Sequence, residues 1–455
     1  MSLPVLIIGG GLSGSECALQ LAARGIAVEL WEQRPVVATE AHKTDGLAEL
    51  VCSNSFKSTD PVRAPGLLKL ELQRLGCKLL PLAGQHELPG GAALVVDREL
   101  FSQAVTRAVE SEPLITLVRQ EFTTLPAAVA SGRVVVVATG PLTSSVLWEQ
   151  LSTLVGSGGS YFYDATSPVI EAGSIDRAVV FAQSRYDKGG GDDYLNCPFD
   201  REEYTAFREA LLSGDQYPLS AGDSYKLFEG CLPIEELANR GADTMRFGPL
   251  KPKGLTDPRT GRWPHAAVQL RWEDALQSAM SLVGFQTRLR FGEQERIFRM
   301  IPGLAGAKFM RYGRMHRNSY LDAPRVLEPT LQLKAAPNVI IGGQLTGLEG
   351  YMSAVATGLW AGVQAARLVE WRRPLAAESD GGTPPPHVLS VPPEGSCLGS
   401  MLRYMVNPAH KDYAPTGFQF GMLTWLPERM KPDAKRELIR ARAEEAWGEL
   451  AAMAE

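Results

Sequence analysis

The chain has 455 residues, enough for two or three units sharing a large core, and its 45% hydrophobic and 21% charged content is that of an ordinary globular protein. No apolar run approaches the ~20 residues a membrane-spanning helix needs, and a net charge of −5 by itself argues against a nucleic-acid partner. Cysteines 17, 52, 77, 197, 231 and 397 are scattered without Cys-x-x-Cys and the histidines do not cluster, so zinc-ligand spacing is excluded and free thiols in a reducing, cytoplasmic setting are expected.

Met1-Ser2-Leu3-Pro4 lacks the basic region and cleavage site of a signal peptide, and the apolar run after it, Val5–Ile8, reads as a core strand. Gly9-Gly10-Gly11-Leu12-Ser13-Gly14 then fits Gly-x-Gly-x-x-Gly, a helical run extends from Ser15 to Arg24, Gly25 stops it, and a second strand, Ala27–Trp31, ends at Glu32. The glycines permit a tight turn and close approach of backbone N–H groups to a pyrophosphate. The helix start favours the phosphate charge, and Glu32 can accept from ribose hydroxyls. Strand, helix, strand and acid at this separation point to a bound dinucleotide.

Twenty residues further on lies an isolated thiol in Ala48-Glu49-Leu50-Val51-Cys52-Ser53-Asn54-Ser55, and a second follows much later in Phe228-Glu229-Gly230-Cys231-Leu232-Pro233. Arg133–Thr139 reads as a strand ending in Thr139-Gly140-Pro141. Asn338–Ile341 reads as another, ending in Gly342-Gly343-Gln344, with a helix from about Ser353 to Trp371. Arg201–Leu212 is helical, Asp380–Pro393 is too proline-rich for helix or central strand, and a charged amphipathic helix runs from Pro432 to about Ala452. From Arg240 to Arg325 there are sixteen Lys/Arg against seven Asp/Glu, a net of +9 that leaves −14 on the rest and suggests a polyanion-facing surface. The expected fold is α/β, with a discontinuous Rossmann-like FAD-binding domain (1–185 and 300–455) and an inserted α/β domain (186–299).

Several blocks carry a resemblance. They include Ile7 to Glu16, Ala41 to Ser55, Ser184 to Gly189, Asp193 to Pro198, Phe228 to Glu235, Arg246 to Pro252, Val283 to Thr287, Gly292 to Gln294, Tyr312 to Asn318 and Thr346 to Tyr351. In order and over nearly the whole chain, they resemble the folate- and FAD-dependent tRNA (uracil-5-)-methyltransferases. The resemblance implies that the methylene of 5,10-methylenetetrahydrofolate is placed on C5 of a uridine, most plainly in the T-loop of tRNA. Reduced FAD supplies the electrons and NADPH or NADH re-reduces the flavin.

Uracil C5 is a poor nucleophile until a group adds at C6, a step that suits a thiolate. The resemblance makes Cys52 and Cys231 the catalytic pair. Cys231 is favoured as the C6 nucleophile because it precedes the basic region, and Cys52 as the flavin-side partner that assists proton removal, although the two roles are exchangeable. FAD is expected at Gly9, Gly10, Gly11, Leu12, Ser13, Gly14 and Glu32, with Arg34 near the adenosine and Thr139, Gly140, Gly343 and Gln344 around the pyrophosphate and ring. Tyr351 is the candidate for stacking on a pterin or ring system, with core packing as the alternative. Lys251, Lys253, Arg259, Arg262, Arg288, Arg290, Arg314 and Arg317 are candidates for RNA phosphate contacts. The family carries no metal. Met352-Ser353-Ala354-Val355, Gln286-Thr287-Arg288 and Phe418 to Leu423 depart from the family pattern on the substrate side. A uridine of ribosomal RNA, or a small-molecule oxidation by a flavoprotein, therefore stands as an alternative.

Overall fold

A computed structural model describes residues 3–156, 160–218, 232–372, 388–427 and 430–454. The first sheet has six strands in the order Gln332–Leu333, Ala336–Ile341, Val135–Val137, β1 (Val5–Ile8), β2 (Val28–Glu32), Ile115–Arg119. All neighbours are parallel except the Gln332–Leu333 edge. Ile8 pairs with both Trp31 and Val137, and Val137 pairs with Ile341. The carboxyl ends of the three central strands are therefore level, and the Gly9, Thr139–Gly140 and Gly342–Gly343 turns emerge side by side. In an open parallel sheet that edge is where ligands bind.

Helix α1 (Leu12–Ala22) follows β1, and the long helix Tyr351–Arg372 packs across it. Their closeness depends on glycine: a Cβ on Gly358 would lie 2.4 Å from the Ser13 carbonyl oxygen, and one on Gly362 2.8 Å from Gln20 Cβ. Beneath them Glu71, fully buried, accepts from the N–H groups of Cys397 and Leu398 at 2.9 and 2.8 Å and from Trp447 Nε1 at 3.3 Å, tying the C-terminal helices to the first body.

The second sheet is antiparallel, in the order Phe181–Ala182, Leu195–Phe199, Ala266–Trp272, Ala279–Leu282, Val169–Glu171, Phe309–Arg311. It has its own apolar core, which includes Phe207, Phe285 and Phe298. This second body takes in three strands outside the expected 186–299 limits, at 169–171, 181–182 and 309–311. Runs of two or three residues are too short to show a period of two in sequence. The two bodies are joined by an antiparallel ribbon in which Ser160–Ala165 pairs with Met315–Tyr320. Most of the expected 380–393 linker, and residues 219–231 with Cys231 among them, lie outside the described residues.

Candidate functional site

A cleft with about 1950 Å³ of empty space, its mouth included, opens at the carboxyl edge of the first sheet. The glycine turn shapes its floor. Gly9 has φ +104°, and a Cβ on Gly14 would lie 1.8 Å from the Gly9 carbonyl oxygen, so both positions require glycine for the turn itself. Gly11 differs: apart from its immediate chain neighbours, no described atom lies within 4 Å of a Cβ placed there, and it faces the cleft. Gly11 is also the N-cap of α1 and offers no side-chain cap, which leaves the first N–H groups of the helix for a ligand. Ser13 Oγ is buried there with no hydrogen-bond partner among the described residues. Leu12 and Ser13 line the cleft, whereas Gly10 and Gly14 serve the turn behind it.

Glu32 ends β2 at the cleft wall and accepts from the Gly10 N–H at 3.0 Å and from Arg34 Nε at 2.8 Å. Burial pushes its carboxyl upward, but the Arg34 hydrogen bond and charge and the two backbone N–H groups outweigh this and hold it below the usual range. Arg34 lines the cleft but acts chiefly as a brace, since Nη1 also reaches Glu49 at 3.1 Å. Thr139, Gly140, Gly343 and Gln344 line the neighbouring turns. Gly343 (φ +71°) donates its N–H to Thr357 Oγ1 at 2.9 Å, and Gln344 Nε2 donates to Glu349 Oε1 at 2.6 Å.

Across the cleft stands the first thiol. Among the described cysteines Cys17, Cys77, Cys197 and Cys397 are buried and burial pushes each thiol up, whereas Cys52 is partly exposed and lines the cleft. Its loop is held from several directions. The N–H groups of Cys52 and Ser53 donate to the Tyr351 hydroxyl at 3.0 and 3.1 Å, and that hydroxyl donates to the Ser53 carbonyl at 2.8 Å. Arg98 Nη1 donates to Leu50 O at 2.6 Å, while Arg98 Nη2 forms a 2.6 Å ion pair with buried Glu273 that lies off hydrogen-bond alignment. From the second body Arg271 Nε reaches Asn54 Oδ1 at 2.9 Å. Tyr351, expected as a stacking platform, therefore uses its hydroxyl to anchor the thiol loop. Its ring leans on Phe56 (5.6 Å, 57°) and still borders the cleft.

The ribbon forms a polar wall that the sequence reading did not single out. Asp164 and His316 are register partners, and both line the cleft together with Asn318. Burial lowers His316, and burial followed by the Arg34 charge pushes His42 down to about 4, which leaves the His42 ring neutral at physiological pH. Glu349 is raised well above the usual carboxylate range by burial and then by the Asp164 charge. Each of these residues except Asp164 lies in or beside a quoted block; a lone acid in a β-strand carries no local signal.

None of the eight candidate RNA cations lines the cleft. Arg259 is paired with Asp257 at 2.8 Å and Arg290 with Asp215 at 2.8 Å. Lys253 and Arg262 are exposed and Lys251 and Arg288 half-buried. Arg314 and Arg317 are exposed on the segment that also carries His316 and Asn318. No cluster of metal-ligating side chains, and no helix long and apolar enough to cross a membrane, occurs among the described residues.

A parallel sheet of this order, a glycine-lined helix start and an acid at the end of β2 define a Rossmann-like dinucleotide-binding protein of the flavoprotein type. The model of the family described as glucose inhibited division protein A matches residues 4–372. The fold is shared with GidA of Aquifex aeolicus, with a TM-score of 0.67 at 15% identity, covering 99% of this chain and 74% of that one. The chain is 46% identical over 448 residues to methylenetetrahydrofolate–tRNA-(uracil-5-)-methyltransferase TrmFO of Moorella thermoacetica, covering 98% of both. It is 48% identical over 458 residues to the TrmFO of Solibacter usitatus, covering 99% of both. The chain belongs to the TrmFO family of enzymes.

Proposed function

We propose that the protein transfers the one-carbon unit of 5,10-methylenetetrahydrofolate to C5 of a uridine in tRNA, at the T-loop, with FAD as its redox cofactor and NADPH or NADH as reductant. The observation that carries this reading is a partly exposed thiol, Cys52, facing a dinucleotide cradle in a chain 46–48% identical over its full length to proteins named for that reaction.

The residues fit FAD. Gly11 leaves room for a pyrophosphate, to which the α1 N–H groups and Ser13 Oγ would donate, and Glu32 would accept from ribose hydroxyls. When bound and reduced, FAD supplies the hydride that completes the methyl group. The remaining steps fall to side chains. A thiolate adds to uracil C6 and makes C5 nucleophilic, C5 accepts the methylene, tetrahydrofolate leaves, a base removes the C5 proton, and the thiolate is expelled. We assign C6 addition to Cys231 and the C5 proton to Cys52. Tyr351 fixes the Cys52 loop, and Glu349 stands at the cleft wall.

The test incubates the protein with labelled methylenetetrahydrofolate, NADPH and either a tRNA transcript or ribosomal RNA lacking 5-methyluridine. Label in 5-methyluridine of the tRNA T-loop is expected. Label only in ribosomal RNA would move the substrate, and no label in either RNA would refute the reading.

A further inference from the structure

The cleft leaves the basic stretch unexplained, because no Lys or Arg between Arg240 and Arg325 lines it. That stretch holds a column of aromatic rings. Phe291, at the start of the helix Phe291–Phe298, stacks on Tyr312 with centroids 4.7 Å apart and planes 20° apart. Tyr312 stacks in turn on Phe309, at 5.5 Å and 10°. All three rings are only partly buried.

Arginines flank the column. The guanidinium carbon of Arg299 lies 6.0 Å from the centre of the Phe309 ring, but its charge is met by Glu295 at 3.3 Å, a residue that also accepts from the Tyr312 hydroxyl. The other end is different. Arg314 lies 5.1 Å from the centre of the Phe291 ring, is exposed, and has no carboxylate within ion-pair distance among the described residues. The column thus has one neutralised and one uncompensated cationic end. A guanidinium over a ring keeps its N–H edge available for phosphate oxygens, a recurring use of arginine in RNA recognition.

The uncompensated end is also the end beside the cleft. Arg314 immediately precedes the strand Met315–Tyr320, in which successive side chains point to opposite faces. His316 and Asn318 face the cleft, while Arg317 lies on the exposed face with its guanidinium 3.6 Å from the centre of the Tyr161 ring. Arg317 and the cleft wall are two sides of one strand, and Arg314 sits where that strand begins. Stacked rings serve unpaired bases, since the bases of a duplex are covered by one another, and a uridine must leave its stack to reach the cleft.

We propose that Arg314 and the Phe291–Tyr312–Phe309 column form a docking site for an unpaired loop of the RNA substrate, with Arg314 taking a backbone phosphate and the ring–guanidinium stack an unpaired base. This rests on the tRNA reading above. It is tested on the FAD-loaded protein by the affinity of a labelled T-arm hairpin and of a blunt duplex with the same stem, across salt concentrations.

Arg314→Gln is expected to weaken hairpin binding about tenfold and to reduce the slope of log affinity against log salt by about one. Phe291→Leu keeps every charge, and is expected to weaken hairpin binding about fivefold or more while leaving duplex binding as in wild type. FAD absorbance and the thermal midpoint report folding of each variant. Wild-type hairpin affinity in Arg314→Gln would overturn the proposal, as would equal losses on hairpin and duplex in Phe291→Leu, or absence of hairpin binding by the wild type at low salt. Hairpin binding that follows these expectations in a protein making no 5-methyluridine would uphold the docking site and overturn the methyl-transfer reading.

Discussion

Removing one oxygen tests how the thiol loop is held. Tyr351→Phe keeps the ring, its contact with Phe56 and its border on the cleft, but deletes the acceptor of the Cys52 and Ser53 N–H groups and the donor to the Ser53 carbonyl. Three hydrogen bonds at ~0.5–1.5 kcal/mol each, with water entering an opened loop to satisfy part of the deficit, amount to about 2 kcal/mol of local stability. At 1.36 kcal/mol per tenfold, the opening equilibrium of the loop rises about thirtyfold. Because the opening is local, FAD content stays at the wild-type level. The assay is hydrogen exchange at the Cys52 and Ser53 amides, with the iodoacetamide alkylation rate of Cys52 as a second reading. Both are expected to accelerate, and kcat to fall with little change in KM for RNA. Unchanged exchange at the two amides would show that the hydroxyl does not anchor the loop.

Gly11→Ala meets no protein atom, so the apoprotein is expected to fold with an unchanged thermal midpoint while FAD binding falls at least tenfold by absorbance titration. Gly14→Ala drives a methyl group against the Gly9 carbonyl oxygen and is expected to lower soluble yield as well. Cys52→Ala is expected to abolish methyl transfer while the purified protein stays yellow; retained turnover would remove Cys52 from the chemistry. Burial raises the Glu71 carboxyl to about 7, from an ordinary value near 4.5 in the unfolded chain. Its stabilising contribution is therefore full below about 4.5 and lost as pH rises through about 7. The thermal midpoint of Glu71→Gln relative to wild type should climb between those limits and level off above them, and a flat difference would show that Glu71 is not titrating there.

Features that local chemistry dictates were legible in the sequence. Gly9, Gly11, Gly14 and Glu32 stand out because a tight turn, an open helix start and an acid at the end of the second strand occur at fixed separations. Cys52 was legible through its block. What the sequence concealed are partnerships made across the chain. The Tyr351 hydroxyl meets backbone 299 residues away, and Glu71 caps a helix 326 residues away, distances over which no periodicity speaks. Arg34 lines the cleft, and its donors bind Glu32 and Glu49, two nearly buried carboxylates that need a counter-charge, a pairing no local pattern shows. The column of Phe291, Tyr312 and Phe309 joins a helix start, a strand and the segment that follows that strand, and only folding brings the three rings into register.

The ribbon of Ser160–Ala165 and Met315–Tyr320 works like a pair of reins. Both passages of the chain between the two bodies run through it, zipped from Ser160–Tyr320 to Ala165–Met315. Arg317 on the outer face and His316 and Asn318 on the cleft wall belong to one strand, and His316 is laddered directly to Asp164, so the rim and that wall of the cleft share a single two-stranded connection.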